Sequence, residues 1–353
     1  MKTILKTIAV AAMFAFTAPA FAGGVTVAAD GTSKTKVEAL FFLNTTMDTT
    51  KVNGTKTAES NGLAVDRAYL TVKHYFNDDW MMRFTSDMES ASGAGGKQQN
   101  IYLKYAYVEG KLAGKAAVLR LGQSHTPWID YEQHLWGHRY VAKVTSDYFK
   151  FDDSSDLGVG LKGKVADGMV KYWATATTGA GYGNKTGSTK GIDYNFRVGV
   201  YPIEGLTLDV QHRTGYRGTK TFGVAGTKNT LTQVMASYGM GKTFRVGANW
   251  LSNKGRDSKG VNKGTNIKAN GYSVWGTAKF AGSFGAFARY DSMKDKGATG
   301  VQTAKNTRTV AGIEYSPIKN VTFSLAGEEY KNAVVGGNTT KNSRIGLFSQ
   351  IKL

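Results

Sequence analysis

Cysteine is absent from this chain of 353 residues, proline occurs four times, and acidic residues are outnumbered 26 to 45 by lysine and arginine. The first absence excludes disulfides, thiolate metal sites and the Cys-x-x-Cys-His attachment of haem, and no cofactor is expected. After residue 22 there is also no apolar run of the ~20 residues that a membrane-spanning helix needs. Any crossing of a bilayer would therefore fall to strands, which in lipid must close into a barrel so that no backbone edge is left unpaired. The shortage of acids gives a formal charge of +19. Nucleic acid is one partner that such a basic chain could take.

The first 22 residues argue against that partner. Lys2 and Lys6 precede an apolar run from Ile8 to Phe16, and Ala20-Phe21-Ala22 forms a small-x-small cleavage signal before Gly23. Residues 1–22 read as a cleaved signal peptide, with 23–353 as a single exported domain. For an exported basic protein the expected partners are small anionic solutes and the phosphates of a lipid surface, with no nucleic acid.

What the rest of the chain does contain is alternation. Apolar and polar residues alternate over about ten positions and then meet a turn, the signature of transmembrane strands. Sixteen such segments are expected, near 35–47, 62–76, 79–89, 99–109, 116–124, 156–164, 168–177, 192–201, 206–214, 229–238, 242–252, 270–280, 283–293, 306–316, 321–330 and 343–353. Their connections alternate between short turns and longer loops, the long ones including 48–61, 90–98, 178–191, 215–228, 253–269, 294–305 and 331–342. The expected fold is an all-β, antiparallel, sixteen-stranded transmembrane barrel. Proline cannot donate to a ladder, and Pro127, Pro202 and Pro317 all fall outside the expected strands.

Alternation also assigns faces. In 206–213, Thr207, Asp209, Gln211 and Arg213 oppose Leu206, Leu208 and Val210, and the polar side cannot face lipid. Carried through the chain, this rule points Arg67, Arg83, Arg120, Arg197, Arg213, Arg245, Arg289, Arg308 and Arg344 into the lumen.

One stretch breaks the rhythm. Ser124–Ser155, SHTPWIDYEQHLWGHRYVAKVTSDYFKFDDSS, is too long for an ordinary hairpin loop and carries three of the five histidines. Its aromatics, among them Trp128, Trp136 and Tyr140, give it too much apolar surface to remain solvated. It is expected to fold into the lumen as a constriction over about 125–155. Its acids Asp130, Glu132, Asp147, Asp152, Asp153 and Asp156 would either set up a transverse field against the arginine wall or pair with those arginines as anchors. Arg139, Lys143 and Lys150 could supply an anion-binding step. The remaining loops are basic, with Lys185, Lys190, Arg217, Lys220, Lys228, Lys259 and Lys263 suited to steering anions or meeting lipid phosphates.

RAYLTVKHYFNDDWMMRF (67–84), VLRLGQSHTPWIDYEQHLW (118–136), SSDLGVGLKGK (154–164) and SRIGLFSQIKL (343–353), taken as an ordered set, resemble the porins of Gram-negative outer membranes. Within these, the likeness is to porins related to the phosphate-selective type. The resemblance implies a cell outer-membrane location amid lipopolysaccharide, an inward third loop, and association as a homotrimer. One departure is the terminal Leu353, where such chains usually end in Phe.

Other combinations carry less. His134 and His138 are four apart and could share a metal, but Gly137 lies between them and no third ligand is evident. Ser124, His125 and Asp130 suggest a hydrolase without an oxyanion hole. Neither an enzyme nor a metal site is expected. The function expected is passive diffusion of small hydrophilic solutes with a moderate preference for anions. A substrate-specific oxyanion channel of the phosphate type is the alternative, and a non-transporting barrel, acting as an adhesin or as the sheath of a redox conduit, is a third class.

Overall fold

The structure is a computed structural model and describes residues 25–29, 33–90, 99–182, 191–217, 228–241, 243–256, 266–280, 282–297 and 300–353. Among these it has strands β1 (Val25–Ala29), β2 (Lys34–Val52), β3 (Thr55–Tyr75), β4 (Trp80–Ser90), β5 (Gln99–Ala113), β6 (Ala117–His125), β7 (Ser155–Val165), β8 (Val170–Thr177) and β9 (Asp193–Val200). They are followed by β10 (Leu206–Gly215), β11 (Asn229–Met240), β12 (Phe244–Arg256), β13 (Asn266–Phe280), β14 (Phe284–Lys296), β15 (Gln302–Ile318), β16 (Val321–Val334) and β17 (Thr339–Lys352). From β2 onward each strand pairs antiparallel with the next, and β17 returns to pair with β2 over Thr340–Lys352. The sheet is thus a closed sixteen-stranded barrel, and closure satisfies the ladder that an open sheet would leave bare in lipid.

Its burial is the inverse of a water-soluble protein's. On β10, Thr207, Asp209, Gln211 and Arg213 are at most 7% exposed, whereas Leu208 and Val210 are each 44% exposed. Apolar side chains therefore clothe the outside and polar ones the inside, which only a lipid surround makes favourable. Exposed aromatics gather where strands meet short turns: Trp80 opens β4, Phe280 ends β13, and Phe284 of β14 stacks on Tyr315 of β15 at 4.8 Å. Such rings suit the boundary between hydrocarbon and water.

Four differences from the sequence expectation have physical causes. The stretch 48–61 is not a loop: β2 and β3 continue to a two-residue turn at Asn53-Gly54, whose φ values of 49° and 87° are those of the tight turn that Asn-Gly favours. Likewise 331–342 is mostly strand, because β16 and β17 run on to Val334 and Thr339. Pro317 lies inside the last residues of β15 rather than in the turn, tolerated because pairing jumps there from Tyr315–Phe323 to Ile318–Val321. A short strand, β1, was not anticipated; it pairs with Lys34–Val37 of β2 beside Leu353, which bonds Ala39. The expected signal peptide 1–22 lies outside the described residues, as do most of 90–98, 178–191, 215–228 and 253–269 with Lys185, Lys190, Lys220, Lys259 and Lys263.

Strand length varies around the barrel. β2 and β3 have 19 and 21 residues and β15 has 17, against 8 each for β8 and β9. About 9–11 residues suffice to cross a bilayer, so the long strands rise beyond it.

Between β6 and β7 the stretch that breaks the alternation holds two helices, α1 (Ile129–Trp136) and α2 (Thr145–Tyr148). Pro127 ends the β6 ladder, and Gly137 closes α1 with φ 77°, its N–H donating to the Gln133 carbonyl. Trp128, Ile129, Trp136 and Val144 are fully buried.

Candidate functional site

The aromatic side chains of 125–155 give the segment its seat. Trp136 meets Trp275 of β13 at 6.1 Å and Phe287 of β14 at 5.8 Å, both edge to face, and its Nε1–H donates to the Ala142 carbonyl at 3.0 Å. His138 stacks on Phe287 at 3.9 Å and its Nε2 is 2.9 Å from Glu314 of β15. Tyr140 reaches the Ser324 hydroxyl of β16 at 2.6 Å and packs on Phe42 of β2. The segment therefore bonds side chains of strands far from its own attachment points. His138, so engaged, does not join the exposed His134 in a metal site, and the Ser124 hydroxyl donates to the His125 carbonyl instead of completing a triad.

Carboxylates of the segment complete this anchorage. Glu132 accepts from Trp128 Nε1 at 2.8 Å and from Arg289 at 2.9 Å, with no exposure on either side of the ion pair. Asp152 accepts from Gln211 at 3.0 Å and lies 3.7 Å from Arg213, while Asp153 is 3.4 Å from Arg217. Thr145 of α2 donates to Asp291 at 2.8 Å. The Lys150 carbonyl accepts from Arg217 at 2.5 Å. Burial tends to raise Asp147, but Arg139 at 3.7 Å, Lys143 and Lys150 hold its carboxyl below the usual range. Asp130 stands apart, largely exposed and 3.8 Å from His125.

Seven of the nine wall arginines are likewise paired with acids. Arg67 binds Asp87 at 2.8 Å and also reaches Tyr102; Arg120 binds Glu109 at 2.5 Å; Arg197 binds Asp209 at 2.6 Å; Arg213 binds Asp193 at 3.0 Å. Arg289 also binds Asp291 at 2.9 Å, Arg308 binds Glu328 at 2.7 Å, and Arg344 binds Asp48 at 2.6 Å. Arg83 and Arg245 make no ion pair among the described residues: Arg83 bonds Thr85 and lies 4.7 Å over the Tyr105 ring, and Arg245 reaches the Ser237 hydroxyl at 3.4 Å. Each pair cancels most of its own field at a distance. The wall's charge is therefore far smaller than its arginine count suggests.

An opening of about 580 Å³ remains between the segment and the barrel wall. Arg139, Lys143 and Tyr148 line it from the segment; Asp48, Asp66, Arg308, Glu328, Tyr330 and Arg344 line it from β2, β3 and β15–β17. Burial pulls the Lys143 ammonium down to about 8, with Asp147 acting in the opposite direction. Asp48, Asp66 and Glu328 were not singled out from the sequence. The alternation alone leaves Asp48 in a loop, whereas the Asn53-Gly54 turn signal extends its strand.

No protein-family model matches the chain, and no curated protein sequence matches it. Solved structures do. The anion-selective porin from Comamonas acidovorans matches with a TM-score of 0.66 at 13% identity, over 91% of this chain and 100% of that one. The outer membrane channel DcaP of Acinetobacter baumannii matches with a TM-score of 0.66 at 11% identity, over 92% and 99%. OmpT of Vibrio cholerae, an outer membrane protein solved in a trimer form, matches with a TM-score of 0.57 at 14% identity, over 90% and 99%. At these identities the likeness is one of fold, and the fold of this chain is that of the sixteen-stranded outer-membrane porins.

Proposed function

We propose that the protein is an outer-membrane channel through which small hydrophilic solutes diffuse passively with a moderate preference for anions. In this reading segment 125–155 lies across the lumen and narrows it, and the barrel works as a homotrimer set in lipid and lipopolysaccharide after removal of residues 1–22. The observation that carries the proposal is the balance of charges outside ion pairs: at the polar opening the Lys143 ammonium attracts anions and Asp66 offsets it, while the surrounding ion pairs contribute little net field. Arg83 and Arg245 add to the positive balance. The likeness in fold to channels, one of them an anion-selective porin, supports the same reading. The oxyanion-specific alternative would need free basic groups converging on one point, and the engagement of seven wall arginines by acids weighs against it.

Purified protein in a planar bilayer tests this. The expected result is steady ohmic single-channel current, with a zero-current potential in a KCl gradient showing chloride passing more readily than potassium. Saturation of the current by phosphate would favour the specific channel. Absence of current from correctly assembled protein would leave the non-transporting barrel.

A further inference from the structure

Two charges at the opening lie outside any ion pair, Lys143 interacting with Asp147 and Asp66 with Arg344 only at longer range. Lys143 Nζ makes no hydrogen bond or ion pair among the described residues, and neither does the Asp66 carboxylate, although both line the same space. The other charged groups there are engaged: Arg344 by Asp48, Arg308 by Asp291 and Glu328, Arg139 by Asp147.

Both free groups are held in place by backbone features. Phe42 of β2 pairs with Arg67 and Leu43 with Val65, so Asp66 is the extra residue of a bulge, a device that re-aims a side chain. Lys143 is fixed through its own carbonyl, which accepts from Arg308 at 2.7 Å. The free cation thus sits on the segment and the free anion on the wall, the reverse of a field made by segment carboxylates against wall arginines.

We propose that this opening is a subsite for small zwitterions, amino acids or short peptides, taken with the carboxylate toward Lys143 and the ammonium toward Asp66. The proposal rests on the channel reading above. A simple anion gains Lys143 but is repelled by Asp66, and a simple cation meets the converse. Only a solute carrying both charges satisfies both walls at once. At about 580 Å³ the space falls within the range of small-molecule sites, about 300–1,000 Å³. Hydroxyls and an amide from Thr50, Ser60 and Asn342 can serve the polar backbone of such a solute.

The test compares liposome uptake of glycylglycine with that of an uncharged solute of equal size, for wild type, Lys143→Met, Asp66→Asn and the exchanged pair Lys143→Asp with Asp66→Lys. Single-channel conductance of each variant establishes that it has assembled. Wild type should favour glycylglycine, each single change should lower that ratio by about two- to five-fold, the scale of one exposed charge pair, and the exchange should recover part of it. Asp66→Asn should at the same time strengthen the preference for chloride. If Asp66→Asn strengthens chloride preference but leaves the glycylglycine ratio unchanged, the zwitterion subsite is wrong and the channel reading stands. If wild-type protein passes no solute, both fall.

Discussion

Glu132 of helix α1 and Arg289 of strand β14 meet at 2.9 Å with neither side chain reachable by solvent. An acid of segment 125–155 thus neutralises a base on the strand it touches, and with no solvent exposure neither acts on a passing solute.

Arg289 keeps Asp291 as a second acid partner at 2.9 Å, so removing the Glu132 charge costs it one buried charge-assisted hydrogen bond, about 1.5–3 kcal/mol. Glu132→Gln should therefore loosen the segment without opening the barrel, since the ladder is closed independently. The expected signs are larger, noisier single-channel current and faster proteolysis within 125–155. A Gln variant with wild-type current and protease resistance would remove the anchoring role.

Trp136 holds the same segment by packing. Cutting a fully buried Trp to Ala costs about 3–5 kcal/mol in cavity and lost contacts. Trp136→Ala should raise conductance in the same direction as Glu132→Gln while circular dichroism remains that of a β-barrel. Unchanged conductance would place the segment outside the conducting path.

Lys143 gives selectivity a pH dependence. Its ammonium, held near 8 by burial and flanked by Asp147, Arg139, Lys150 and Arg67, is charged below that pH and neutral above it. Anion preference should fall as pH rises from 7 to 9. In Lys143→Arg, whose guanidinium stays protonated throughout, the zero-current potential should stay flat. A wild-type potential that ignores pH over this range would exclude Lys143 as the selecting charge.

Arginines with and without acid partners should separate by phenotype. Arg83→Gln removes a charge that no acid binds in an ion pair, Asp130 acting on it only at longer range, and should move the zero-current potential toward cation selectivity with the fold intact. Arg213→Gln strips Asp152 and Asp193 of their buried partner and should lower the assembled yield. Equal shifts in potential from both, at equal yield, would contradict this division.

The barrel was legible in the sequence because a wall with lipid outside and water inside imposes a period of two on every strand, and each ends in a turn. Sixteen segments could be counted, and Arg213 could be assigned to the side opposite Leu208. Cancellation was not legible. Whether Arg197 is free depends on Asp209 across the sheet, and whether Glu132 faces the passage depends on Arg289, 157 positions along the chain. Alternation fixes the side of the sheet and is silent on the partner. The Asp66 bulge was hidden for a related reason: one extra residue in an otherwise regular strand hardly disturbs the pattern, but it turns a carboxylate into the opening.

Among the described residues the strands are unequal in reach. β2 and β3 rise as a parapet on one flank, whereas β8 and β9 stop near the span itself. At ~3.3 Å per residue along strands tilted by about 40°, ten additional residues stand roughly 25 Å high. A solute drifting against the tall β2–β3 hairpin would be turned back by it, in the way a backboard returns a ball. The groups it would meet there, Ser60, Asp66 and Asp48, stand directly beside the entrance they serve.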